Sequence, residues 1–110
     1  MKHRKGLSAA DRAARSRLHQ LLEEADALAH GSVIRMARCC GNVRCRCATQ
    51  GLKHVSWYLG VTEKGKTRMK HLPKGTEEKV RRWVQQYREA RALLDTISRE
   101  AWKLLGESDE

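Results

Sequence analysis

Acidic side chains are almost missing from the centre of this chain. Between Asp26 and Glu77 the only one is Glu63. Ten basic residues stand from Ser32 to Lys74: Arg35, Arg38, Arg44, Arg46, Lys53, Lys64, Lys66, Arg68, Lys70 and Lys74. This stretch therefore holds +9 of the +10 net charge of the 110-residue chain. Charge focused in this way, away from any helical face pattern, is the electrostatic footprint of a nucleic-acid binder rather than of a generally solvated surface. The gap in acids also excludes chemistry. No pair of carboxylates is available there for acid–base work, and an open catalytic zinc would have one acid within reach. There is no glycine-rich phosphate loop and no serine or cysteine in a recognised nucleophile context. The histidines, at 3, 19, 30, 54 and 71, are scattered. The chain is not expected to be an enzyme.

Long apolar runs are lacking as well. No stretch approaches the roughly 18 residues of a membrane span, which argues against a membrane partner. The start, Met-Lys-His-Arg-Lys-Gly, has no apolar stretch behind it and does not read as a secretory signal. The expected location is cytoplasmic and reducing, where clustered cysteines bind metal more often than they form disulfides. The length fits a single domain, 1–110, and a core of that size commonly needs a staple such as a metal or a second chain.

Four cysteines, Cys39, Cys40, Cys45 and Cys47, fall within nine residues, interleaved with Arg38, Arg44 and Arg46 and followed by His54. Cys40, Cys45, Cys47 and His54 offer the three thiolates and one imidazole that a tetrahedral structural zinc takes, in the spacing C-x4-C-x-C-x6-H. Gly41 permits the tight turn that returns Cys40 towards Cys45. Cys39 is an alternative to His54, which would make a four-thiolate site. In an extended strand Cys45 and Cys47 would point to opposite faces, so a shared metal requires the loop to curl. Three further readings stand beside zinc: ordinary reduced, packed thiols, a disulfide formed in vitro, and redox-sensitive thiols made acidic by Arg38, Arg44 and Arg46.

Local patterns give an α+β fold: an N-terminal helix, a small three-stranded antiparallel sheet with a Cys-rich loop, and a long C-terminal helix pairing with the first. Ser8 caps a helix over 8–30, with Asp11 as a weak capping-box partner. Its apolar seam is Ala14, Leu18, Leu21, Ala25 and Leu28, and Gly31 follows the last turn. Residues 32–72 form the basic Cys-rich β region. Val55, Trp57, Leu59 and Val61 alternate with polar positions, and Thr67, Met69 and His71 alternate with Lys66, Arg68 and Lys70. A three-residue connection with Gly65 left-handed would leave Trp57, Leu59, Thr67, Met69 and His71 on one face, and that register is expected. Tyr58, Lys66, Arg68 and Lys70 then share the outer face. Val33–Arg38 supplies a third strand, with Ile34 and Met36 inward and Arg35 outward.

Thr76 caps the second helix, 76–105, with Glu77 and Glu78 in its first turn. Its seam, Val80, Trp83, Tyr87, Ala90, Leu94, Ile97, Ala101 and Leu104, alternates threes and fours as a coiled coil does. Trp83, Tyr87 and Trp102 are read as packing residues. The seam outlasts that of the first helix. A homodimer is therefore expected, and a protein–protein interaction or dimerisation module is the alternative function.

The segments Gly31–Ala48, His54, Trp57–Leu59, Gly65–Arg68, Leu72–Lys74 and Val80–Trp83 together resemble a family of small, uncharacterised prokaryotic proteins. That family shows CGxxxCRCA, a following histidine, a GKTR hairpin and a long C-terminal helix. The resemblance implies that Cys40, Cys45, Cys47 and His54 are its Cys/His set and Cys39 an extra. Val55-Ser56 stands where the family tends to have Gly-Pro. The resemblance also implies a gene neighbourhood near transposases. The hairpin and helix are similar in architecture to the arm-binding domains of tyrosine integrases, which read DNA with a three-stranded sheet. The expected function is a small basic nucleic-acid-binding protein, on DNA rather than RNA, associated with a mobile element. The expected contacts are Arg35, Arg44, Arg46, Tyr58, Lys66, Arg68 and Lys70, with one structural zinc as the cofactor.

Overall fold

The computed structural model describes residues 7–39 and 41–106. The basic start, Cys40 and the acidic tail lie outside that set. The elements run α1 (Ala9–Glu24), β1 (Ser32–Arg38), α2 (Arg46–Thr49), β2 (His54–Glu63), β3 (Lys66–Leu72) and α3 (Glu77–Leu104). They divide into two compact units. One contains Ala29–Val84; the other contains the chain up to Leu28 and from Gln85 onward.

In the first unit the three strands form an antiparallel sheet in the order β1-β2-β3. Val33 pairs with Leu59 and Arg35 with Trp57 across β1 and β2. Across β2 and β3, Leu59 pairs with Lys70 and Val61 with Arg68. The connection between β2 and β3 is two residues long, Lys64-Gly65, with φ of 53° and 78°. Both residues are left-handed, as a primed hairpin turn requires, and such turns match the twist of the flanking strands. The expected three-residue loop is therefore wrong, and the register shifts by one. Lys66, Arg68 and Lys70 now lie on the face of Trp57 and Leu59, while Thr67, Met69 and His71 lie on the other face with Tyr58. Ile34 and Met36 share that second face, and Arg35 is on the first. This register carries little desolvation penalty, because Lys66, Arg68 and Lys70 remain exposed.

The unit's core is small. Leu72, Val80 and Val84 are buried, and Ala29, Val33, Trp57, Leu59 and Trp83 pack against them. The first turns of α3 thus cover the Val33–Trp57–Leu72 end of the first face. The Arg81 guanidinium lies 4.6 Å from the Trp57 ring centre, a cation–π contact that closes this end. Thr76 precedes the helix as expected, and its carbonyl accepts from Val80 N at 3.0 Å. Its hydroxyl donates to the Pro73 carbonyl at 2.7 Å. Glu77 and Glu78 occupy the first turn.

In the second unit α1 pairs with the later part of α3 in antiparallel fashion. Ser8 caps α1 by accepting from Asp11 N at 3.0 Å. The Ser8 hydroxyl also donates to Glu100 at 2.7 Å. Further along, Arg17 clamps Glu89 with two hydrogen bonds of 2.7 and 3.1 Å. Ala14, Leu21 and Ala90 are buried. Arg17 holds the Glu89 carboxyl below its ordinary range, and the Ser8 hydroxyl, then Lys103, do the same for Glu100. Asp11 is buried with Arg15 as its partner.

Two expectations about the helices change. α1 ends at Glu24, not at His30. Ala25 turns extended at ψ 130° while its N–H still reaches the Leu21 carbonyl. Beyond it the Ala29 N–H donates to the Trp83 carbonyl. The three–four pattern runs on through Leu28, but that side chain is exposed, so the pattern outlives the surface that would reward it. The α3 seam is likewise only partly buried. Leu94 is 50% exposed and Trp102 70%, so Trp102 is not the packing residue its spacing suggests.

Candidate metal centre and basic sheet

The Cys-rich loop leaves the sheet and returns to it at one rung, since Arg38 and His54 are register partners. Between them the chain curls. The Asn42 side chain accepts from Arg44 N at 2.9 Å, a local turn of the kind Asn favours, and Asn42 O accepts from Cys45 N at 3.0 Å. Cys45 O then accepts from Ala48 N and Thr49 N, at 2.9 and 3.0 Å, closing the one-turn helix α2. Gly41 has φ of +90°, the tight-turn conformation its position called for.

This curl removes the geometric objection to C-x-C. Cys47 is in the helical turn and Cys45 just before it, so the thiols no longer alternate across a strand. Cys45 Sγ lies 3.1 Å from His54 Nε2. The donor atoms of Cys45, Cys47 and His54 all lie within 4.8 Å of one another. Around a tetrahedral zinc with bonds of about 2.0–2.3 Å, neighbouring donors stand about 3.5–3.8 Å apart, so the Cys45–His54 pair would open by a few tenths of an ångström while wider separations within the 4.8 Å limit would close. Two thiolates and an imidazole suit a borderline-soft ion such as zinc. Cys47 is buried, Cys45 half-buried and His54 exposed. Cys39 is exposed and donates to the Cys47 carbonyl at 3.7 Å. Cys40, the fourth expected ligand, is not among the described residues.

The expected nucleic-acid contacts separate into three groups. Arg44 and Arg46 are exposed on the loop. Arg35, Lys66, Arg68 and Lys70 are exposed on the first face of the sheet. Arg68 and Lys70 line an open cleft of about 480 Å³ together with His30, Leu59, Val61, Glu63 and Met69. Glu63, the single acid of the basic stretch, makes a 3.6 Å ion pair with Arg68; both are exposed, so the pair costs the patch little. Tyr58 is the exception, because the corrected register places it on the second face. The Tyr58 hydroxyl accepts from Arg38 at 3.2 Å, and its ring meets His71 edge-on, with ring centres 5.3 Å apart. Arg38 and His71 were not singled out from the sequence. The left-handed tolerance of a Lys-Gly turn was the signal that would have found them, since it fixes the register.

A family model described as a domain of unknown function, DUF6788, matches residues 11–82. The chain belongs to this family. The DUF6788 match takes in α1 from Asp11 onward, the whole sheet, the cysteine loop and the start of α3. Comparison with curated proteins and with solved structures found no match. Among the described residues no helix of this DUF6788 chain is long and apolar enough to cross a membrane.

Proposed function

We propose that this DUF6788 protein is a small cytoplasmic nucleic-acid-binding protein, acting on DNA rather than RNA and associated with a mobile element, and that it binds without catalysing a reaction. The observation that carries this reading is the basic centre: ten cations and one acid between Ser32 and Lys74, on a sheet and loop whose cationic side chains are exposed. A duplex carries closely spaced phosphates, and neutralising them releases counterions, which is the dominant sequence-independent source of affinity. The link to a mobile element rests on the resemblance of the Cys-Gly-x-x-x-Cys-Arg-Cys and Gly-Lys-Thr-Arg motifs to a family with transposase neighbours.

In this reading a structural zinc, held by Cys45, Cys47 and His54 with Cys40 as the fourth ligand, stiffens the loop and fixes the direction of Arg44 and Arg46. The metal supplies local folding energy. The decisive test of the nucleic-acid reading is a gel-shift titration on duplex DNA across salt concentrations. Affinity that falls steeply with salt supports it, and no binding to duplex, single strand or structured RNA removes it.

A second reading is favoured by one observation, the apolar residues left open on α3 and just beyond its end. Leu94, Trp102, Leu104 and Leu105 are 50%, 70%, 52% and 79% exposed. A homodimer formed through this stripe would remove them from water, and protein–protein assembly would then be a function of the chain beside nucleic-acid binding.

A further inference from the structure

The second face of the sheet differs in kind from the first. It is built around Tyr58, with Ile34 on β1 and His71 on β3 in the same rung. Gly60, two residues along β2, is buried beneath its neighbours. A Cβ built there would stand 2.7 Å from Ile34 Cδ1 and 2.9 Å from Met69 Sδ. Those two side chains therefore close over the glycine, and the rung beside Tyr58 becomes a flat apolar shelf instead of a ridge. Along the strands the alternation places Arg38 and His71 on this face, while Glu63 belongs to the other. The face thus combines a tyrosine ring, an imidazole, a guanidinium and a level apolar floor, with no carboxylate among its strand positions.

We propose that this face is a platform for single-stranded nucleic acid, on which unstacked bases lie against Tyr58, His71 and the Ile34–Met69 shelf. The inference rests on the nucleic-acid reading above and goes further, because it assigns the polymer form and a site the basic patch does not contain. Tyrosine, histidine and arginine planes are the surfaces on which splayed bases stack. Stacking tolerates every base because each has a π-face. Charge complementarity favours a polyanion, since Arg38 lies at the rim and none of the face's strand positions carries a carboxylate. Arg38 also holds the Tyr58 hydroxyl, and His71 abuts the ring, so the tyrosine is oriented before any ligand arrives. A base pair inside a duplex shows only its edges and offers no face to this shelf. The first face, with Arg35, Lys66, Arg68 and Lys70, remains the surface for phosphates.

The test is a fluorescence-anisotropy titration of the full chain with a short labelled single strand of mixed sequence, and with the duplex of the same sequence, at one salt concentration. Tyr58→Ala should weaken single-strand binding about tenfold, the loss of one base–aromatic stack, and leave duplex binding unchanged. Tyr58→Phe should keep single-strand binding. His71→Ala, at an exposed position, should weaken it in the same direction, and it decides the matter if Tyr58→Ala does not fold. Single-strand affinity unaltered in the folded variants overturns the inference. Duplex binding without single-strand binding also overturns it, and leaves the nucleic-acid reading standing. Absence of binding to either form removes both.

Discussion

Neutralising Lys66, Arg68 and Lys70 together should change how binding responds to salt, not only how tight it is. All three are exposed on one face of the sheet. Their replacement by glutamine should leave the melting temperature nearly unchanged, since exposed substitutions of this kind fall within about 0.5 kcal/mol. The Glu63–Arg68 pair is itself exposed and contributes about 1 kcal/mol at most. Each phosphate contact adds about −0.9 to the log–log salt slope on duplex DNA. If Arg35, Arg44, Arg46, Lys66, Arg68 and Lys70 all reach phosphates, the slope is about −5.4, and affinity falls roughly 2,000-fold between 50 and 200 mM salt. The triple variant keeps three contacts, a slope of about −2.7 and a loss of about 40-fold over the same range. Anisotropy titrations at four or more salt concentrations measure both slopes. A parallel pair of lines, with the variant only displaced, would refute the claim that these side chains neutralise phosphates.

Three further outcomes follow from other parts of the molecule. The protein should purify with about one zinc per chain, and Cys45→Ser should lower thermal stability much more than Cys39→Ser, because only the former donates to the three-residue cluster; equal effects in calorimetry, or a metal-free protein with the same melting temperature, would leave the cysteines as reduced side chains. Acid should loosen the α1–α3 pair: Glu89 and Glu100 titrate below their ordinary 4.5 when folded, so their contribution is complete above that value and is lost as pH falls through the lowered one. Thermal melts from pH 6 downward should show this decline, and Glu89→Gln should make it shallower. Replacing Leu94 and Trp102 with Asp should give a folded monomer if the open stripe joins two chains; light scattering that shows wild type and variant at the same mass would count against the homodimer.

The architecture was legible in the sequence because its signals are local. The Ser8 cap, the period-two alternation through Val55–Val61 and the Thr76-Glu-Glu start each depend on neighbouring residues, and each element appears where they place it. The α1–α3 pairing follows from two long apolar seams in one short chain. What failed was register and extent. Face assignment in the hairpin turned on one residue of loop length, and the reasoning that favoured an apolar face assumed that the whole face is covered. Only the end near Leu72 is, so a basic row could share it. The ends of α1 and of the α3 seam were overestimated for a related reason, since periodicity persists in sequence where no partner surface remains. The cysteine site was half legible. Residue types and spacing named Cys45, Cys47 and His54, but the objection that Cys45 and Cys47 alternate could be lifted only by the Asn42 turn and α2.

The rung shared by Arg38 and His54 has a consequence for how this molecule could be altered. Residues 39–53 depart from one point on the sheet and come back beside it. The pairing of β1 with β2 continues on the far side whatever the loop contains, as in any hairpin whose connection grows. The loop is in this sense a cartridge. On this geometry it could lengthen, shorten or be exchanged for a tight turn while the strands keep their alignment. The same geometry makes it portable: grafted onto another antiparallel pair that offers a histidine at the first position of the returning strand, it would carry its four cysteines and two arginines along as one cassette.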